Sequence, residues 1–81
     1  MQWRPTPDED LEREISAALS RPGASRVVPT RPVGCSDGRS GWLWGRMRTA
    51  AGAWLGLATL YSSPWEYELT WQPADQLRTL D

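Results

Sequence analysis

A mainly β chain of the α+β kind, in which a small antiparallel barrel carries one N-terminal amphipathic helix, is the fold that three features of this sequence predict. Trp65, Tyr67, Leu69 and Trp71 alternate strictly with Glu66, Glu68, Thr70 and Gln72, which is the period of a half-buried strand. That strand runs into Pro73-Ala74-Asp75-Gln76-Leu77, where proline ends ladder pairing and a short turn returns Leu77 and Leu80 to an apolar core. Far upstream, Leu11, Ile15, Ala18 and Leu19 recur at helical spacing. A strand, a one-turn bend and a short last strand describe a small barrel, and the helix must lie on something. The reading assigns one domain over residues 1–81, with a helix over 7–20 and the barrel over 26–80.

Each element has a local justification. Thr6 is placed to cap the helix, Pro7 suits its first position, and Glu9 can reach back to complete a capping box. Asp8, Glu9 and Asp10 put negative charge at the positive end of the helix dipole. Arg21-Pro22-Gly23 stops the helix near Ser20. From Ala24 to Gly41, Pro29, Pro32, Gly34, Gly38 and Gly41 surround only the short apolar pair Val27-Val28. This pattern reads as one edge strand and a long loop, with Asp37-Gly38 as its turn. Trp42 to Thr49 and Trp54 to Tyr61 read as a hairpin joined around Ala50-Ala51-Gly52-Ala53. The alternative is a helix over residues 47–61, against which Gly52 and Gly56 cost about 1 kcal/mol each.

Composition narrows the chemistry. A chain of 81 residues buries only about 60 to 65% of its unfolded surface, so every large side chain counts. With no Phe, one Ile and six Trp, the core is expected to be built around indoles, each able to bury roughly 150 to 250 Å². Each indole N–H needs an acceptor, which places some of them at the rim. The lone Cys35 cannot form an intrachain disulfide; it fits a reducing compartment and reads as an inert thiol in a loop. No run of 18 apolar residues is present, and Met1-Gln2-Trp3-Arg4-Pro5 is not a charged-then-apolar leader. The expectation is therefore a cytoplasmic protein without membrane span or secretory signal. Lys, Asn, Phe and His are missing while Arg, Ala, Gly, Pro and Trp abound, the usage of a GC-rich bacterial or phage genome.

Trp71-Gln72-Pro73-Ala74-Asp75-Gln76-Leu77 resembles the C-terminal segment of Src-homology-3 and similar barrels, where an aromatic residue or glycine, then proline, a polar turn and an aliphatic residue precede the last strand. Trp42-Leu43-Trp44-Gly45-Arg46 or Trp54-Leu55-Gly56 is similar to the tryptophan-rich strand of that family. The chain also resembles small uncharacterised proteins of high-GC Gram-positive bacteria that end in a Trp-x-Pro-Ala-Asp segment. The resemblance covers residues 26–80 and implies a Src-homology-3-like barrel. It departs from the family in having no Ala-Leu-Tyr-Asp-Tyr-like start and no acidic loop before the tryptophan-rich strand. Members that bind proline-rich peptides build their aromatic groove and choose orientation with those parts.

Catalysis finds few candidates. Without His and with one Cys, Cys/His zinc sites and His-dependent triads are excluded within one chain. Gly34-Cys35-Ser36-Asp37-Gly38-Arg39-Ser40-Gly41 lacks the Lys-Ser/Thr ending of a phosphate loop. Asp8, Glu9, Asp10, Glu12 and Glu14 coat a helix, and Glu66 and Glu68 point outward from their strand, where nothing raises a carboxyl pKa for acid catalysis. A non-enzymatic protein with no cofactor and no metal is expected.

The strand Trp42 to Arg48 carries the binding expectation. Period two places Trp42, Trp44, Arg46 and Arg48 on one face and Leu43 and Met47 on the other. If Leu43 and Met47 are core, two indoles and two guanidiniums share an exposed stripe. Alternatively the indoles are core and the arginines reach out of it, or pair with Glu66 and Glu68. The first reading is a protein-interaction module that binds a peptide or protein through Trp42, Trp44, Arg46, Arg48, Trp54, Tyr61 and Tyr67. A second is single-stranded nucleic-acid binding, with Trp stacking and Arg–phosphate contacts. A third is a homodimer formed through the aromatic patch. Between residues 21 and 48 six arginines meet only Asp37, while the ends are acidic and the net charge is −1, so the acidic helix is expected to dock on the basic middle.

Overall fold

Asp8, rather than Thr6, opens the helix of the computed structural model, which describes residues 5–80. The Asp8 carboxylate accepts the Leu11 backbone N–H at 2.8 Å, and α1 runs Glu9–Ala18, shorter than the predicted 7–20 at both ends. Pro7 therefore stays outside, and Glu9, Asp10 and Glu12 occupy the favourable first turn. At the other end the Ser20 hydroxyl donates to the Ala17 carbonyl at 2.7 Å, and Gly23 turns the chain with φ +81°.

Five antiparallel strands follow: β1 (Ala24–Cys35), β2 (Ser40–Arg48), β3 (Trp54–Ser63), β4 (Glu66–Pro73) and β5 (Leu77–Thr79). Their order in the sheet is β4-β3-β2-β1-β5, a four-strand meander to whose first strand the last one returns, and the sheet curls into a half-barrel. A 3-10 turn over Ala74–Gln76 makes the bend predicted after Pro73.

Two expectations change here, and two hold. The stretch from Ala24 to Gly41 is no long loop, because β1 is continuous over 12 residues. Its prolines are accommodated by position. Between Arg26 and Arg31, a segment that includes the cis Val28–Pro29 bond, the ladder with β2 is interrupted, and Pro32 contributes its carbonyl, which accepts the Leu80 N–H at 2.9 Å. The expected turn does form at Asp37-Gly38, where Gly38 has φ +96° and donates to the Cys35 carbonyl at 3.0 Å. Cys35 thus ends a strand, half-buried, instead of lying in a loop. Residues 47–61 form the expected hairpin and not the alternative helix. Thr49 closes it: its N–H reaches the Ala53 carbonyl at 2.7 Å and its hydroxyl accepts the Ala53 N–H at 3.1 Å.

The sheet buries both faces. On one, Leu11 and Ile15 of α1 meet Trp44 and Leu57, with Ala18, Leu19, Trp42, Leu69 and Trp71 around them. On the other, Val33, Ala58 and Leu60 are packed by Cys35, Leu43 and Leu77. The core is aliphatic more than indole. Among the described tryptophans only Trp44 is buried, Trp42 and Trp71 are half-buried, and Trp54 and Trp65 are exposed, while Trp3 lies outside the described residues. Trp65, 79% exposed, sits in the turn before β4 rather than in the strand alternation, and Leu80 is 50% exposed rather than core.

Docking of the acidic helix on the basic middle is observed. Arg26 of β1 makes a two-pronged contact with Glu12, both bonds 2.6 Å. Hydrogen bonding from Arg26 holds the Glu12 carboxyl below its usual range.

Candidate functional site: an aromatic and cationic cleft

A single extra residue decides which side chains meet. β2 and β3 are in register with Leu43 opposite Ala58 and Gly45 opposite Leu57, so Trp44 is a bulge. The bulge shifts the alternation by one. Trp42 and Trp44 both turn to the helix side, and so does Gly45, whose missing side chain leaves room for Leu19. Met47 shares the side of Gly45, whereas Leu43, Arg46 and Arg48 face the other way. The predicted stripe of Trp42, Trp44, Arg46 and Arg48 is therefore split between two faces. Trp44, 4% exposed, donates its indole N–H to the Thr59 hydroxyl at 3.0 Å, satisfying the polar group that its burial strands.

Arg46 and Arg48 instead converge on Trp54 at the start of β3. Their guanidinium carbons lie 5.8 and 5.6 Å from the centre of the same indole ring, within cation–π range, and Trp54 remains 46% exposed. Arg48 is further held by its Nε–H, which donates to the Gly52 carbonyl at 3.2 Å across the hairpin turn. Beside this cluster opens a cleft of about 240 Å³. Val33, Leu43, Gly56 and Leu77 supply its apolar surface, and Arg46, Trp54 and Arg78 border it. Gly56 leaves space here: a Cβ there would come within 2.7 Å of Leu77 Cδ1 and 3.0 Å of Leu43 Cδ1, so those leucine ends would have to shift. A second surface hollow lined by Trp54, Pro73 and Asp75 continues from the Trp54 end.

Charge is distributed unevenly around the molecule. Arg13 pairs with Glu9 and Asp10 on the helix, Arg26 with Glu12, and Arg39 with Asp37 at 2.8 Å and Glu68 at 3.2 Å. Glu68 thus takes Arg39 and not Arg46 or Arg48. Among the described residues, Arg46, Arg48 and Arg78 at the cleft have no carboxylate partner.

Tyr61 and Tyr67 form a separate aromatic pair, opposite each other on β3 and β4 with ring centres 5.3 Å apart. Burial, then the negative charges of Asp8 and Glu14, push the Tyr67 phenol above its usual pKa, so this pair stands in an acidic field. Of the seven residues expected to bind, the structure brings together Arg46, Arg48 and Trp54; Trp42 and Trp44 go to the helix side and the tyrosines to the acidic end. Arg78, Leu43 and Gly56 were missed as site residues. The spacing of Arg78 after the Pro73 turn was the one available signal, since the last strand had to return beside the first.

Among the described residues, no three His, Cys, Asp or Glu side chains are placed to hold a metal ion, and no helix is long and apolar enough to cross a membrane. The cleft offers an aliphatic surface, an aromatic edge and cations. In comparison with known proteins, no family model, no curated relative and no solved structure matches this chain.

Proposed function

We propose that this protein is a non-enzymatic interaction module with a Src-homology-3-like barrel, and that it binds a peptide segment of a partner protein at the Trp54 cleft. The strand order, in which the last strand pairs with the first after a 3-10 turn, supports that kinship. One observation carries the functional reading: a large aromatic side chain, with two guanidiniums in contact with its ring, stands exposed at the mouth of an apolar cleft. Exposed tryptophan and arginine beside a pocket are the residue types that dominate binding energy in protein interfaces.

Single-stranded nucleic acid fits less well. A base stacking on Trp54 competes with Arg46 and Arg48 for the ring, the cleft surface is aliphatic, and the second aromatic pair sits among carboxylates that repel phosphate. Selection of displayed random peptides against the wild-type chain and against Trp54→Ala tests the reading. Sequences enriched on the wild type and lost on the variant are expected. Equal enrichment on both would remove the cleft as the site.

A further inference from the structure

The cations at the cleft share one property that bears on the occupant. Arg13, Arg26 and Arg39 are each matched by carboxylates of the same chain, on a protein whose net charge is −1. Among the described residues Arg46, Arg48 and Arg78 are not, nor is the exposed Arg21 away from the cleft, although Asp and Glu outnumber Arg in the sequence; what sets the first three apart is that they gather at one cleft. Two of them are gathered on one indole ring, where like charges repel until an anion lies between or beside them. The third borders the same cleft from β5. Between these cations the surface is aliphatic, made by Val33, Leu43 and Leu77 and kept open by the absence of a side chain at Gly56.

Resting on the reading that the cleft binds peptide, we infer that its occupant is an acidic segment. One aliphatic side chain enters against Val33, Leu43 and Leu77, and flanking carboxylates meet Arg46, Arg48 and Arg78. An aliphatic side chain gains from leaving water, and carboxylates gain charge-assisted hydrogen bonds that the chain's own acidic residues do not supply here. A basic or proline-rich neutral segment leaves the three guanidiniums without anions. An acidic partner also approaches a surface whose local charge attracts it.

The test uses the full chain with nitrogen-15 indoles and follows the Trp54 side-chain N–H during titration. The probes are three synthetic peptides of equal length around a central leucine, flanked by Asp and Glu, by Gln and Asn, or by Arg. An oligothymidylate is the fourth. The acidic peptide is expected to bind most tightly, and the Arg46→Gln/Arg78→Gln variant to weaken it on the order of five- to tenfold with little change for the neutral peptide. Replacing the central leucine by glycine weakens it about tenfold. With the unaltered protein, raising salt from about 50 to about 500 mM weakens the acidic peptide several-fold, a readout that does not depend on the variant folding. Neutral or basic peptides binding as tightly as the acidic one overturn the charge assignment and leave the peptide-binding reading standing. Failure of every peptide to move Trp54 overturns both. A response to oligothymidylate alone transfers the site to nucleic acid.

Discussion

One face of this sheet lies under a ten-residue helix and the other under a three-residue strand with its 3-10 turn, and the two are filled to different degrees. α1 brings Leu11, Ile15, Ala18 and Leu19 onto Trp44 and Leu57, and Ile15 is left with 0% exposure. On the opposite face Val33, Ala58 and Leu60 are equally buried, but their cover is Leu77, Leu43 and Cys35, each only half-buried, and a cleft stays open beside them. A helix presents an apolar stripe two to three turns long, whereas one short strand presents a single inward side chain. The closed face holds the fold, and the open face leaves the cleft beside Trp54 accessible.

The comparison can be broken at its common element. Gly41 lies in β2 where a Cβ would collide with the backbone carbonyl of Thr59 in β3, and neither strand can retreat without disturbing both faces. Gly41→Ala is expected to cost more than about 3 kcal/mol and to leave a chain without a cooperative thermal transition by circular dichroism. A retained transition near the wild-type midpoint would show that the β2–β3 contact yields.

The difference between the faces is sharpened by truncating one residue on each. Ile15→Ala empties a fully enclosed site and should destabilise by about 2 to 4 kcal/mol in urea unfolding. Leu77→Ala removes a side chain beside the open cleft, which water can fill, and should cost about 1 to 2 kcal/mol. Equal losses would contradict the distinction drawn between a closed and an open face.

A smaller effect tests the polar contact within the closed face. Thr59→Val keeps shape but takes away the acceptor of the Trp44 indole N–H, leaving a buried donor unpaired at about 1 to 2 kcal/mol. The indole resonance of Trp44 should shift while that of Trp54 stays in place.

The smallest effect is the pH response of the ion pairs. Hydrogen bonding from Arg26 holds the Glu12 carboxyl below its usual range, and the backbone and side chain of Arg39 do the same for Asp37. Carboxyls lowered by folding contribute stability that is complete above their unfolded pKa values, about 4, and that is lost as the pH falls through the folded ones. Urea midpoints measured downward from pH 6 should therefore fall below about pH 4. Glu12→Gln should reduce that fall without altering the Trp54 cleft. An unchanged slope in the variant would mean that the Arg26 pair contributes nothing in solution.

Much of the architecture was legible in the residues because it depends on near neighbours. The stripe of Leu11, Ile15 and Leu19 has one period, and it forms a helix wherever an apolar surface receives it. Asp37-Gly38 and Gly52 turn the chain through conformations that glycine adopts freely, with φ +96° and +88°. Pro73 ends its strand because it has no N–H to give. The aromatic alternation from Trp65 was over-read: as the outermost strand β4 has a partner on one side only, so Tyr67 stays exposed and Trp65 falls in the turn.

What the sequence by itself determined is thus the set of elements from α1 through the hairpin to the last short strand, with a composition that has no His and one Cys and so cannot build Cys/His zinc sites or His-dependent triads within this chain. The continuity of β1 through Pro29 and Pro32, the bulge at Trp44 and the meeting of Arg46, Arg48 and Arg78 around one cleft were decided by tertiary structure. The physical reason is register. Whether a residue points in or out follows from the strand opposite, and a single unpaired residue at Trp44 reverses every later side chain in β2, sending the arginines away from the tryptophans that precede them and onto Trp54.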